Sequence, residues 1–162
     1  MPRVGPEGSV LGVDYSEGML RRASALVKSE GGQDVTLQRE DAAVLAGVEG
    51  PFDVLVSVWC LDIVHDLEAA LERGLSLLRP GAKLAIMDFR RVRAESGPLH
   101  WFFPLYGPLL RVTGIDSRED LDDERYVARW CSARAWLEPR IEALHEERSL
   151  ADTGFVLIAR KR

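Results

Sequence analysis

The chain has 162 residues, 46% of them apolar and 29% charged, which suffices for one domain with a full hydrophobic core and is too apolar for a disordered chain. Its 26 acidic and 21 basic residues give a net charge of -5, so the overall field does not favour a nucleic-acid backbone as partner and suits a small or apolar one. Cys60 and Cys131 lack the spacing of a metal site or a disulfide framework, so no metal is expected and a reducing cytoplasm is the expected location. Pro2, Gly5, Pro6 and Gly8 break the N-terminus where a signal peptide would carry an apolar run. Residues 99–112 are apolar, but Pro104 and Pro108 interrupt them and they fall short of the roughly 20 residues that span a membrane.

In chain order, SVLGVD reads as a short strand ending in an acid, and SEGMLRRASALVK places Met19, Leu20, Ala23, Leu26 and Val27 at helical spacing. Ser16 is placed to cap this helix, Gly31 and Gly32 end it, and a second strand over about residues 35–38 completes a β-α-β unit. After a loop through Gly47 and Gly50, FDVLVSVW is β-branched and almost continuously apolar, the pattern of a strand buried on both faces of a parallel sheet. Asp66 then caps a helix carrying Leu67, Ala70, Leu71, Leu75 and Leu78, closed by Pro80 and Gly81, and KLAIMDF supplies another buried strand. The alternation predicts an α/β fold in one domain over residues 1–162. Residues 95–139 interrupt it with Trp, Phe, Tyr, Pro and charges, a mostly helical insertion and candidate lid. RIEALHEERSL and ADTGFVLIARKR then read as a terminal antiparallel hairpin.

In doubly wound folds the ligand lies beyond the carboxyl ends of the strands, where an acid after the second strand accepts the ribose hydroxyls. Asp14 stands there, either for that purpose or to help cap the following helix. The segment GVDYSEGML resembles the one that follows the glycine loop in class I S-adenosylmethionine-dependent methyltransferases, and EDAAVL resembles their next cofactor contact. The run from PFDVLVSVW through an Arg-Pro-Gly turn to KLAIMDF is similar to the family's fourth strand, helix and fifth strand. The terminal hairpin resembles its last, antiparallel strand. The likeness is strongest to the ubiquinone/menaquinone type.

The resemblance implies a Rossmann-like doubly wound sheet and S-adenosyl-L-methionine as cofactor. Asp14 would hold the ribose, Tyr15 and Met19 flank the adenosine, and Asp41 with Ala42 meet the adenine. Val58, Trp59, Cys60 and Leu61 would line the place where cofactor and acceptor meet. The acceptor would be quinone-, lipid- or small-metabolite-like, and the insertion would read it.

Methyl transfer from a sulfonium is an in-line displacement that asks chiefly for positioning and exclusion of water, so no catalytic residue is assigned. His65 and His100 are candidate bases for a phenol or enol, although His65 beside Asp66 also reads as helix-start polarity, and His145 lies in a charged strand facing water. Cys60 reads as core or pocket wall. His100, Trp101, Phe102, Phe103, Tyr106, Trp130 and Trp136 roof an apolar pocket, rest on a membrane surface or pack on the sheet. The run REDLDDER reads as a solvated turn and helix start.

The family places a strand, a G-x-G-x-G loop and a helix before the segment that opens this chain, and Gly5, Gly8 and Gly12 are spaced too widely to replace the loop. In the family's strand order, 3-2-1-4-5-7-6, that first strand is central, and without it two ladder edges stay unpaired. A truncated reading frame, a partner chain or second copy covering the edges, and a rearranged sheet in which the flanking strands meet directly are the three explanations. Two functions follow: methyl transfer, with the chain in this form inactive or active, and a degenerate methyltransferase-like subunit that binds a protein partner without catalysis. A nucleotide-sugar or nicotinamide enzyme fits neither the Arg79-Pro80-Gly81 turn nor the hairpin.

Overall fold

The computed structural model describes residues 4–5, 7–32, 34–89, 123–149 and 154–162. Strand β1 is Val10–Asp14, helix α1 is Glu17–Ser29 and strand β2 is Val35–Arg39. Strand β3 is Phe52–Val58, helix α2 is Leu67–Ser76 and strand β4 is Leu78–Phe89. Helix α3, Asp123–Leu137, passes through a 3₁₀ turn at Glu138–Arg140 into β5, Ile141–Ser149, and β6, Gly154–Lys161. The α/β class is as the alternation implied.

The helix ends form where the sequence places their caps. The Ser16 hydroxyl accepts the Met19 N–H at 3.3 Å, and the Asp66 carboxylate accepts the Ala69 N–H at 2.9 Å, each relieving one of the free donors of a helix start. Gly31, with φ of +68°, lets the chain turn after α1. Helix α2 stops earlier than the sequence suggested, at Ser76, because Leu78 already pairs with Phe52 in the sheet. Arg79, Pro80 and Gly81 then lie inside β4 as an irregularity of the ladder, after which Lys83 pairs with Val54.

The six strands form two sheets. β1 and β2 pair in parallel, while β3, β4, β6 and β5 form a mixed sheet in that order, with β3 and β4 parallel and β6 antiparallel to both its neighbours. The terminal hairpin is thus present, with its last strand inserted between β4 and β5. The direct meeting of the flanking strands is not: among the described residues β1 pairs only with β2, and β3 only with β4.

The core lies on one face of the four-stranded sheet. Alternate residues Leu84 and Ile86 of β4, with Leu157 and Ala159 of β6, pack against Leu67, Ala70, Leu71 and Leu75 of α2 and Ala133 and Leu137 of α3. On the opposite face Val54, Val56 and Val58 of β3 are 53%, 65% and 52% exposed, so this strand is not buried on both faces as its composition suggested. Its burial alternates because α2 covers one side only and β3 is an edge strand among the described residues. Helix α1 has no buried residue, and the β1-α1-β2 unit contributes none to the core cluster.

Trp130 and Trp136 pack against that core, Trp130 edge-to-face on Phe155 with ring centroids 5.1 Å apart, and the Arg140 guanidinium sits 4.0 Å from the Trp136 ring centroid. For these two the packing role holds. His100, Trp101, Phe102, Phe103, Tyr106 and most of the expected insertion and acidic run lie outside the described residues, and α3 is the described part of the insertion.

Candidate functional site

The carboxyl ends of β1, β2 and β3 carry the candidate residues, as a doubly wound arrangement requires. At the end of β1, Oδ1 of half-buried Asp14 accepts the Ser16 N–H at 2.7 Å and so shapes the turn into α1. Both roles open for Asp14 are therefore compatible, since among the described residues no bond engages Oδ2. Tyr15, just before the Ser16 cap, and Met19, on the first turn of α1, are exposed beside it. Arg39, at the end of β2, braces this turn: its Nε donates to the Tyr15 carbonyl at 3.1 Å, Nη1 to Glu17 Oε1 at 2.7 Å, and the guanidinium lies 5.2 Å from the Tyr15 ring centroid.

After β2 the Glu40 N–H donates to the Asp14 carbonyl at 3.3 Å, and Oδ1 of exposed Asp41 accepts the Ala43 N–H at 2.8 Å. Ala42 is half-buried and packs against the core cluster. The loop that follows is tied to α2 by Arg73, which donates to the carbonyls of Val44 at 3.3 Å, Leu45 at 3.0 Å and Val48 at 2.8 Å.

β3 ends at Val58, and Trp59 turns out of the sheet with φ of +49°, its N–H held by the Met87 carbonyl at 2.8 Å. Both side chains are about half exposed. Cys60, next in the turn, has its thiol pKa pushed up to about 11, first by burial and then by the carboxylates of Asp88, Asp14, Asp62 and Asp41. The acids at the ends of β1 and β2 are thus among the charges that raise the thiol in the turn after β3. The thiol stays protonated near neutrality, which fits a pocket wall and not a nucleophile.

The histidines stay apart from this set. His65 is exposed, His145 is exposed with Nε2 3.4 Å from Glu147, and His100 lies outside the described residues. Among the described residues no group of His, Cys, Asp or Glu is arranged to hold a metal.

Four residues that shape the site escaped the sequence reading: Arg39, Arg73, Asp88 and Arg129. Asp88 carried a signal, as an acid closing the apolar strand KLAIMDF. It is 1% exposed, and its Oδ2 accepts the N–H groups of Leu61 and Asp62. The arginines carried none, because a surface and a site arginine look alike in sequence.

A family model described as a methyltransferase domain matches residues 1–81, half of the chain. The chain is 26% identical over 129 residues to the demethylmenaquinone methyltransferase of Lactobacillus johnsonii, covering 78% of this chain and 51% of that protein. It is 34% identical over 84 residues to the nocamycin O-methyltransferase of Saccharothrix syringae, covering 52% of this chain and 30% of that one. The chain therefore spans about half the length of the first relative and less of the second. Among solved structures, a SAM-dependent methyltransferase from Aquifex aeolicus superposes with a TM-score of 0.63 at 17% identity, over 98% of this chain and 71% of that one. The fold is thus the Rossmann-like α/β fold of that structure, and the chain belongs to the methyltransferase-domain family.

Proposed function

We propose that this chain takes part in S-adenosylmethionine-dependent methyl transfer to a small, apolar, quinone-type acceptor. The observation that carries this reading is the placement of Asp14 and Asp41 at the carboxyl ends of the parallel strands β1 and β2, with the turn after β3 held by Asp88, in a chain of this family. The acceptor class draws on the demethylmenaquinone methyltransferases among its relatives.

The residues present fit the cofactor. Asp14 stands half-buried at the end of β1 with Oδ1 fixed by the Ser16 N–H, and the flat Tyr15 and flexible Met19 are exposed beside it for an adenosine to rest on. When bound, the cofactor would supply a methyl group, its bond to sulfur breaking with the electron pair left on sulfur as a bond forms to the acceptor atom, whose proton passes to water. Asp14 accepts the ribose hydroxyls, Asp41 with Ala42 meets the adenine, and Val58 with Trp59 walls the reaction centre. The protein's contribution is orientation and exclusion of water. α3 and the sequence before it, residues 95–139 together, select the acceptor. No described helix is long and apolar enough to cross a membrane. A quinone-type acceptor would be met by peripheral contact with a membrane surface on its cytoplasmic side.

Titration calorimetry with S-adenosylhomocysteine tests this, on this chain and on the longest open reading frame that contains it. Binding lost in Asp14→Ala is the expected result; absence of any Asp14-dependent binding in both proteins refutes the reading. A second reading, a methyltransferase-like subunit that binds a partner chain or a second copy without catalysis, draws on the edges of β1 and β3, each of which pairs with a single strand among the described residues. It predicts a stable complex on gel filtration and no cofactor affinity.

A further inference from the structure

The turn after β3 adopts a backbone that a bulky side chain rarely takes. Trp59 lies in the left-handed region, and such strain persists only where the surroundings over-determine it. Two side chains distant in sequence do so here. Asp88, at the carboxyl end of β4, accepts the Leu61 N–H at 2.9 Å and the Asp62 N–H at 3.2 Å, both on Oδ2. Arg129, on α3, donates from Nη2 to the Asp62 carbonyl at 3.0 Å and, more weakly, to the Leu61 carbonyl at 3.3 Å. A carboxylate thus holds the donors of this turn and a guanidinium its acceptors, and both kinds of bond are strengthened by charge and burial.

We propose that Asp88 and Arg129 are positioning residues for methyl transfer, which clamp the backbone of Leu61 and Asp62 and thereby fix Trp59 and Cys60 at the reaction centre. The proposal rests on the reading of that turn as the place where cofactor and acceptor meet. Neither side chain needs to touch a reacting atom. Their effect is geometric, and small misplacements of a positioned group cost large factors in rate.

The variants are Asp88→Ala and Arg129→Ala, which remove the clamp, and Asp88→Asn, which keeps an oxygen acceptor without the charge. Hydrogen exchange read by mass spectrometry should show residues 59–64 exchanging about tenfold faster or more in both alanine variants, with α2 and β6 unchanged and Asp88→Asn between. With S-adenosylmethionine and 1,4-naphthohydroquinone as probe substrates, kcat should fall about tenfold or more in the alanine variants, while the cofactor KM moves less than about threefold and Asp88→Asn recovers most of the rate.

Exchange that rises at residues 59–64 only together with α2 and β6 would mark a purely structural role and overturn the proposal. So would an unchanged kcat in both alanine variants. Arg129 lies on a partly exposed helix face, so its variant still decides the matter if Asp88→Ala does not fold. A wild-type chain without Asp14-dependent S-adenosylhomocysteine binding refutes the functional reading instead, and one that binds through Asp14 yet ignores the loss of the clamp refutes this proposal alone.

Discussion

Arg73→Met removes the guanidinium that ties the β2–β3 loop to α2 while keeping much of the side-chain stem. Three carbonyls lose a charged donor, those of Val44 at 3.3 Å, Leu45 at 3.0 Å and Val48 at 2.8 Å, and the first is too long to count for much. A hydrogen bond from a charged group is worth about 1.5–3 kcal/mol, but this loop lies near the surface and water can replace part of what is lost, so the two good bonds together should contribute about 2–3 kcal/mol. Urea denaturation of both proteins measures the change directly. In a chain of this size each kcal/mol lowers Tm by about 2–4 °C, so the midpoint should fall by about 4–12 °C. The same loop begins with Asp41 and Ala42, so S-adenosylhomocysteine affinity should weaken as well, by about tenfold if the adenine contact loses its fixed position. A stability change below about 0.5 kcal/mol with unaltered affinity would show that the loop holds itself and that the arginine is incidental.

Two further perturbations test other parts of the account. The Cys60 thiol, with a pKa of about 11, is about one part in a thousand thiolate at pH 8, so its alkylation by iodoacetamide should accelerate about tenfold per pH unit up to about pH 10, after the exposed Cys131 has reacted; a rate that levels off below pH 9 would contradict the burial and the carboxylates around it. Gly50→Ala puts a Cβ 2.5 Å from the Leu77 carbonyl oxygen, which already accepts the Phe52 N–H at 2.8 Å and belongs to backbone that cannot step aside. Urea melts should show a loss of about 2–3 kcal/mol, and a loss under about 0.5 kcal/mol would mean the loop before β3 moves freely.

What the sequence made legible was whatever it expresses locally. Ser16 and Asp66 cap helices because a short polar side chain before an apolar periodic run has few other uses, and the acid ending β1 stands at the strand's carboxyl end because SVLGVD can only be a short strand. What stayed hidden depends on partners remote in sequence. Val54, Val56 and Val58 look like core by composition, yet their burial is set by what lies on the far side of the sheet, which composition cannot express. Leu78 looks like the end of a helical stripe, and only its pairing with Phe52 makes it strand. Arg73 and Arg129 act on carbonyls 25 or more positions away, and no spacing rule connects an arginine to a carbonyl at that distance.

The two sheets divide stability from function in a way that follows from where the buried residues fall. The apolar core joins β4 and β6 to α2 and α3, whereas β1, α1 and β2 bury little and contribute Asp14, Tyr15 and Met19. A core substitution such as Leu67→Ala should therefore lower stability first and affect the site only through unfolding, while changes in the β1-α1-β2 unit should alter affinity with little change in a melt. The turn at residues 59–62 lies at the junction of the two regimes. Its backbone is fixed from the core side by Asp88, Met87 and Arg129, and its Cys60 thiol is raised in part by the Asp14 and Asp41 carboxylates at the end of β1 and after β2. In the proposed site the well-buried side defines the reaction geometry and the less buried side receives the nucleoside. On that reading the asymmetry in burial predicts that substitutions at Asp88 and Arg129 cost most in rate, and that substitution of Asp14 costs most in S-adenosylhomocysteine affinity, which kcat and titration calorimetry on the three alanine variants would separate.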